Sequence, residues 1–439
     1  MSRLRAVVEE AKSLAQPSAP EEKTIRSLAR SVLARTKKAA LRYPETRAVL
    51  IGGSFAKGTW LAGHVDLDIF VKIDPSTSEE AFERIGLKVG ATATRGYPAG
   101  KKYAQHPYTE ATVEGVRVNI VPCFAVREGE WKSAADRSPF HVKLMEKLPP
   151  EQKTQVRLLK LFMDSVGVYG AEIQRQGFSG YVSEVLIMQH GDFNGVLSWF
   201  ADHRRPDGRQ FSLPDPVDSK RDLGIAVSGE SLGKMVLACR EFLSDPSLAF
   251  FRKMSGRSHP GLRGEVYAVI FSHMSMSEDT LWGELRKTTR HLARHLETRG
   301  FKVARCMAAS DNSRRSAILL IPEFVELPAL EQRVGPSVDR RKDVDAFIST
   351  NAKDSRLVWV DDEARVRLLR PRERRRLDDY LKAVARGRDG PIGASHEIEV
   401  GMKRSAVVLR GAPLSRAAKT TGWLRDGIRE ITSDAIGTR

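Results

Sequence analysis

The stretch DLDIFVKI at 66–73 constrains this chain more than any other. Its apolar residues alternate with period two, which predicts a strand buried on one face. Residues i and i+2 of a strand share a face. Asp66 and Asp68 therefore project together, while Val65, Leu67 and Ile69 turn to the core. Two ionised carboxylates side by side repel, and left unpaired one of them takes up a proton. A divalent cation removes that conflict, and hard oxygen ligands suit Mg²⁺, which also binds nucleotide phosphates. A lone Asp-x-Asp is more often a solvated strand face. The residues just upstream change the weighing.

Those residues read RAVLI then GGSFAKGTW, over 47–60. They predict a short strand, a turn at Gly52-Gly53 and a short helix. Glycines let backbone N–H groups approach phosphate, and a helix start favours the anion. Ser54 adds a hydroxyl and Lys57 a positive charge, and Asp66 follows twelve residues after Ser54. A second strand, VRVNIVPC at 116–123, carries Arg117, Asn119 and Val121 on one face. It pairs with ATVEG as a hairpin turning at Glu114-Gly115, and Pro122 is expected to stop it. Asn119 should point towards the two aspartates. Its amide oxygen is a weak cation ligand and brings no negative charge.

The rest of the chain divides by texture. Residues 2–15 and 21–43 read as helices. From about 150 the pattern is helical, with helices through 180–200 and around 231–243 and a polar loop at 204–222. From about 260 the order is strand (GEVYAVIFSH), helix, strand (FKVARCMAAS), strand (SAILLIPEF). That helix is expected to carry a capping box at Ser275 and Glu278 and to stop at Gly300. The β-α-β-β order predicts a ferredoxin-like or RNA-recognition-like sheet. Residues 365–388 are Arg-rich and partly helical, and the last fifty residues mix strand and helix signals. The expected fold is α+β and multidomain: a mixed-sheet head at 1–147, a helical neck at 148–260, a ferredoxin-like body at 261–385 and a small α/β tail at 386–439.

Charge narrows the partner. The 439 residues carry a net +17, which suits a polyanion, nucleic acid first and an anionic membrane second. Cys123, Cys239 and Cys306 lie far apart and imply neither disulfides nor zinc, so a reducing, cytoplasmic setting is expected. No apolar run of membrane-spanning length occurs, so no membrane span is expected. Helix 278–298 carries Arg286, Lys287, Arg290 and Arg294 on one stripe, and Leu281, Leu285, Leu292 and Leu296 on another. The first stripe reads either as a solvated face or as a phosphate contact.

The string GSFAKGTWLAGHVDLDIFV is similar to the archaeal, class I CCA-adding tRNA nucleotidyltransferases, within the superfamily that includes DNA polymerase beta. The likeness continues through YAQHPYTE, VNIVPCF, DRSPFH, QVRLLKLFMDSVGVYGAE, GFSGYVSEVLI, DPVDSKRD, CREFLSDPSLAFF and GPSVDRRKDVDAFI, most of residues 45–350. The resemblance implies template-independent addition of C, C and A to the 3′ end of tRNA from CTP and ATP, with two Mg²⁺ ions. It assigns the catalytic and metal positions to Asp66, Asp68 and Asn119, and nucleotide contacts to Gly53, Ser54, Lys57, Ser138, His141, Lys160, Tyr169 and Arg221. Taken singly, His141 and Tyr169 could be core residues, Lys160 a solvated helix position, and Arg221 a partner of Asp215 or Asp218.

The resemblance also implies tRNA contact at the acceptor stem and T-arm, through Arg286, Lys287, Arg290, Arg294 and the Arg-rich segment, and a homodimer. Family members have a third carboxylate where this chain has Asn119. Three explanations stand: an introduced substitution that traps substrate, a natural enzyme in which Glu110, Glu114 or water compensates, or an inactive tRNA-binding relative. A poly(A)-polymerase-like or oligoadenylate-synthetase-like transferase is the neighbouring enzymatic alternative.

Overall fold

The computed structural model describes residues 3–202, 211–252, 259–390 and 392–434. They form two compact units, the first up to residue 257 and the second over 258–433. No helix among the described residues is long and apolar enough to cross a membrane.

The first unit opens with α1 (Arg3–Ala15) and α2 (Ala19–Ala40), then β1 (Thr46–Gly52), α3 (Gly53–Lys57) and β2 (Asp66–Ile73). It continues through α4 (Glu79–Ala93), β3 (Ala99–Tyr103), β4 (Pro107–Val113) and β5 (Val116–Phe124). The helices α5 (Ser138–Met145), α6 (Pro150–Val166), α7 (Gly180–His190), α8 (Phe193–Ala201) and α9 (Gly229–Ser244) follow. The five strands make one sheet in the order β1-β2-β5-β4-β3, with β2 and β5 parallel and the other pairs antiparallel. α2 and α4 cover one face through Ile25, Leu28, Val32, Phe82, Ile85 and Val89. The other face is left to the polar residues of β2, β5 and β4. The period-two reading of 66–73 holds for Leu67, Ile69, Val71 and Ile73, all fully buried, although Phe70 is buried as well.

Pro122 does not end β5. The ladder with β4 has already stopped at Ile120, opposite Thr109, so no described pairing to that strand is lost, and β5 runs on beside β2 to Phe124. The helical layer is held by an aromatic cluster of Phe162, Phe193, Phe242, Phe250 and Phe251, and α1 joins it through Val8 and Ala11. The part of the expected polar loop at 204–210 lies outside the described residues. Its remainder holds no regular element beyond a bridge between Pro214 and Asp222.

The second unit contains β6 (Tyr267–Ser272), α10 (Glu278–Thr298), β7 (Val303–Ser310), β8 (Arg315–Pro322), β9 (Leu330–Ser337), α11 (Arg341–Asn351), β10 (Leu357–Val360) and β11 (Arg365–Pro371). It ends with α12 (Leu377–Ala385), α13 (His396–Ser405), β12 (Val407–Arg410), α14 (Gly411–Thr420) and α15 (Gly422–Ile431). Its main sheet has the antiparallel order β12-β6-β8-β7, the split β-α-β arrangement expected of a ferredoxin-like fold. A smaller sheet, β10-β11-β9, is inserted before the fourth strand. α14 and α15 cover one face of the main sheet through Leu414, Leu424, Ile428 and Ile431, so β6 is buried on both sides.

α10 begins one residue after Ser277, whose hydroxyl accepts from the Thr280 N–H at 3.3 Å. Ser275 is therefore not the cap: the helix starts at Glu278, which leaves that residue too early to close a box. Gly300 does end the helix, in the left-handed region at φ +97°, with its N–H on Glu297 and the Phe301 N–H on Leu296.

Candidate active site

The site is built on the uncovered face of the first sheet. Register sets Asp66 beside Arg117 and Asp68 beside Asn119 across β2 and β5. Asn119 Nδ2 donates to Asp68 Oδ1 at 2.9 Å. Its Oδ1 is buried and has no hydrogen-bond partner among the described residues. Arg117 grips Asp66 with a two-pronged fork, Nε to Oδ1 at 2.8 Å and Nη2 to Oδ2. Both side chains of that pair are substantially exposed, so water screens the fork.

Burial raises the Asp68 carboxyl above its ordinary range, and Asp66 pushes the same way against the Asn119 hydrogen bond, Lys57 and Arg117. Two neighbouring carboxylates, one of them costly to ionise, and a partnerless amide oxygen beside them fit a hard divalent cation.

The turn between β1 and α3 lies against this pair. Gly53 sits at φ +62°, and a Cβ there would come within 1.9 Å of Asp68 Oδ2. Only glycine allows the chain to pass so close to the carboxylate in that conformation. Ser54 follows, half-buried, in the first turn of α3.

Lys57 closes α3 and turns inward. Its Nζ is 2.7 Å from Glu184 Oε2 on α7. Lys160 on α6 reaches the other carboxylate oxygen at 3.2 Å, and also donates to the Thr59 carbonyl and hydroxyl at 3.0 and 3.1 Å. The Thr59 hydroxyl completes the cluster by donating to Glu184 Oε1 at 2.5 Å. Burial alone would raise the Glu184 carboxyl, but Lys57, Lys160 and the hydrogen bonds from Lys57 and Thr59 hold it down to about 2. Burial conversely lowers the Lys160 ammonium, with Glu184 opposing. Lys57 and Lys160 are thus joined to one buried acid, which ties the loop after β1 to the helical layer.

A second cluster extends from Lys57. The Tyr181 ring lies 5.0 Å from its Nζ and stacks on His141, centroids 3.8 Å apart. His141 Nε2 lies 3.4 Å from Asp215 Oδ2. Burial lowers the His141 pKa and Asp215 opposes the shift. Asp215 also accepts from Tyr181 Oη at 2.9 Å, the Val217 N–H at 2.9 Å and Arg221 Nη1 at 3.2 Å. Asp218 pairs instead with Arg137, Nε to Oδ2 at 2.7 Å. Ser138 is the first residue of α5. Tyr169 lies near Lys160: a Cβ on Gly180 would be 3.0 Å from the Tyr169 hydroxyl and 3.4 Å from Lys160 Nζ.

The first unit therefore brings together Asp66, Asp68, Asn119 and Gly53 as one group, and His141 and Arg221 around Asp215 as another. Lys57 and Lys160 are drawn to Glu184. The sequence reading missed Glu184, Tyr181, Asp215 and Arg117 as site residues. Glu184 had a signal: an acid inside the apolar run YVSEVLI, matched by Lys160 inside LLKLF. Buried charges of opposite sign on two apolar helices need one another.

In the second unit, Lys287, Arg290 and Arg294 stand exposed on α10 and Arg286 is half-buried. The Arg-rich segment is largely engaged with acids of its own unit: Arg370 and Arg372 with Glu331, Arg374 with Asp389, and Arg375 with Glu326.

Three protein families match the chain in order. They are the nucleotidyltransferase domain over residues 33–142, the second domain of tRNA nucleotidyltransferase over 154–252, and the C-terminal domain of the CCA-adding enzyme over 263–403. The CCA-adding enzyme of Pyrobaculum islandicum is 33% identical over 426 residues, covering 94% of this chain and 99% of that protein. The CCA-adding enzyme of Methanothermobacter thermautotrophicus is 33% identical, covering 77% and 79%. Among solved structures, a cytoplasmic RNA terminal U-transferase aligns with 58% of this chain and 99% of its own, at 14% identity and a TM-score of 0.44.

Proposed function

The chain belongs to the archaeal CCA-adding enzymes, nucleotidyltransferases that act on tRNA, and from that premise we propose a two-cation transfer of CMP and AMP to the tRNA 3′ end at Asp66 and Asp68. The observation that carries this reading is the pair of carboxylates on one face of β2, with Gly53 packed against Asp68. Bound there, divalent cations would activate the attacking 3′-hydroxyl and neutralise the leaving pyrophosphate.

The chain's own residues prepare that chemistry. Asp66 and Asp68 would hold the cations, with Arg117 giving up its fork on Asp66. Asn119 orients Asp68 through Nδ2 and adds a weak oxygen ligand without charge, so the third position contributes less than an acid would. Ser54, Ser138 and Tyr169 contact the triphosphate and sugar. Lys57 and Lys160, both paired with the single carboxylate of Glu184, support the Gly53-Ser54 loop from behind. His141 stands beside Asp215, and Arg221 on the same acid helps to read the incoming base together with the tRNA end. The exposed α10 residues Lys287, Arg290 and Arg294, with Arg286 beside them, contact phosphates of the acceptor stem and T-arm.

The test is Asp68→Asn. The expected result is loss of nucleotide addition to a tRNA lacking its CCA end, with tRNA affinity in a gel-shift titration unchanged. Addition at the wild-type rate contradicts the reading.

A further inference from the structure

Position 119 lacks a carboxylate, yet a third acid stands on the same row of the sheet. Strand register sets Gly52, Asp68, Asn119, Glu110 and Gly100 side by side across β1, β2, β5, β4 and β3. Directly opposed residues share a face. Burial along β4 agrees: Pro107, Thr109, Ala111 and Val113 are buried, whereas Tyr108, Glu110 and Thr112 are not. Glu110 therefore projects from the face that carries Asp66, Asp68 and Asn119. Neighbouring strands lie about 4.8 Å apart, so one strand spacing separates Glu110 from Asn119 and two separate it from Asp68.

The surroundings leave Glu110 available. Its one described ion pair, to Lys102 at 3.7 Å, is partly exposed and worth little. Among the described residues, no atom beyond Gly100 and its chain neighbours lies within 4 Å of where a side chain on Gly100, the neighbour on β3, would begin. In the register Asn119 lies between Glu110 and Asp68, and its Oδ1 has no partner among the described residues.

We propose that Glu110 supplies the third carboxylate of the cation-binding face, from one strand beyond Asn119. It acts directly or through a cation-bound water, since Mg²⁺ keeps several waters when bound. Asn119 then serves as the bridge between two acids: its Nδ2 holds Asp68, and its Oδ1 would be free to ligate a cation. The inference rests on the reading that Asp66 and Asp68 hold cations. It selects Glu110 over Glu114, which sits in the hairpin turn at φ +50° and off the row.

The experiment is a Mn²⁺ titration of the full chain, with free Mn²⁺ read by electron paramagnetic resonance and no nucleotide or tRNA present. The proteins are wild type, Asp68→Asn, Glu110→Gln, Asn119→Asp, the Glu110→Gln/Asn119→Asp double variant and Glu114→Gln. Glu110→Gln is expected to weaken Mn²⁺ binding about tenfold or more, within the range for lost supporting groups at metal sites, without lowering the melting temperature. In the Asn119→Asp background the same change is expected to cost less than about threefold, because the nearer acid takes over and the two sites are coupled. Glu114→Gln is expected to bind as wild type.

Wild-type affinity in Glu110→Gln overturns the proposal, as does an equal loss in both backgrounds. If Asp68→Asn weakens binding while Glu110→Gln does not, only this proposal falls. If Asp68→Asn also binds as wild type, the cation reading of Asp66 and Asp68 falls with it.

Discussion

Glu184 is the residue on which the arrangement of the first unit depends most. Its carboxylate is 1% exposed and faces two ammonium groups, Lys57 at 2.7 Å and Lys160 at 3.2 Å. Glu184→Gln keeps the shape and removes the charge. Both lysines then stay buried without an anion. Removing one partner of a buried pair costs about 3–5 kcal/mol. Lys160, already pulled down by burial, can shed its proton in response, which keeps the penalty within that range. For a unit of this size each kcal/mol moves the midpoint by roughly 2–4 °C, so the expected drop is roughly 6–20 °C.

Lys160→Met is the instructive comparison. It removes one cation and leaves Glu184 paired with Lys57. Its cost is the lost hydrogen bonding at Thr59, on the order of 1–3 kcal/mol. Differential scanning calorimetry of the three proteins reads both changes in the transition that includes the first unit. If Lys160→Met costs as much as Glu184→Gln, or Glu184→Gln costs under about 1 kcal/mol, the charge-balance reasoning is wrong.

Other expectations follow from the same geometry. The Glu184 carboxyl is held down in the folded state, so its stabilisation is complete above the ordinary value of 4.5 and is lost as pH falls towards about 2. The stability gap between wild type and Glu184→Gln should therefore narrow below pH 4.5, and a gap that widens there would contradict the assignment. Asn119→Asp should raise kcat by less than the roughly 10²–10⁴ that a wholly missing acid–base group would restore, because Glu110 already supplies a carboxylate, and equal kcat values would show that position 119 is not limiting. Replacing Lys287, Arg290 and Arg294 together by Gln should weaken tRNA binding and reduce the slope of log affinity against log salt by roughly 2–3, while an unchanged slope would remove α10 from the interface.

The site was legible where chemistry and local periodicity coincide. Asp66 and Asp68 could be placed on one face because a strand alternates, and the turn at Gly52-Gly53 because a strand and a short helix flank it. Register across strands was not legible. Glu110 is nine residues from Asn119 in the chain and appeared to sit near a turn, yet β4 and β5 pair so that the two are direct neighbours. Asp215 was legible only as a partner of Arg221, six residues on, and not as the acid that Tyr181 also reaches. Glu184 was missed because its partner lies far away in sequence: Lys57 is 127 residues from it. The same distance hid β12. The ferredoxin-like sheet is completed only at Val407–Arg410, after β9, β10, β11 and three helices have intervened, so its last strand fell in the segment that local patterns described least. Ser275 and Ser277 both offer a capping hydroxyl, and only the start of α10 decides between them.

The central claim is that this face adds C, C and A to tRNA and then stops. The direct measurement is to incubate the full chain with Mg²⁺, all four nucleoside triphosphates and a tRNA trimmed of its last three nucleotides, and to sequence the extended ends. The account predicts growth by C, C and A in that order, with no further extension. Ends that carry an unbounded run of A, or that do not grow with either Asn or Asp at position 119, would contradict it.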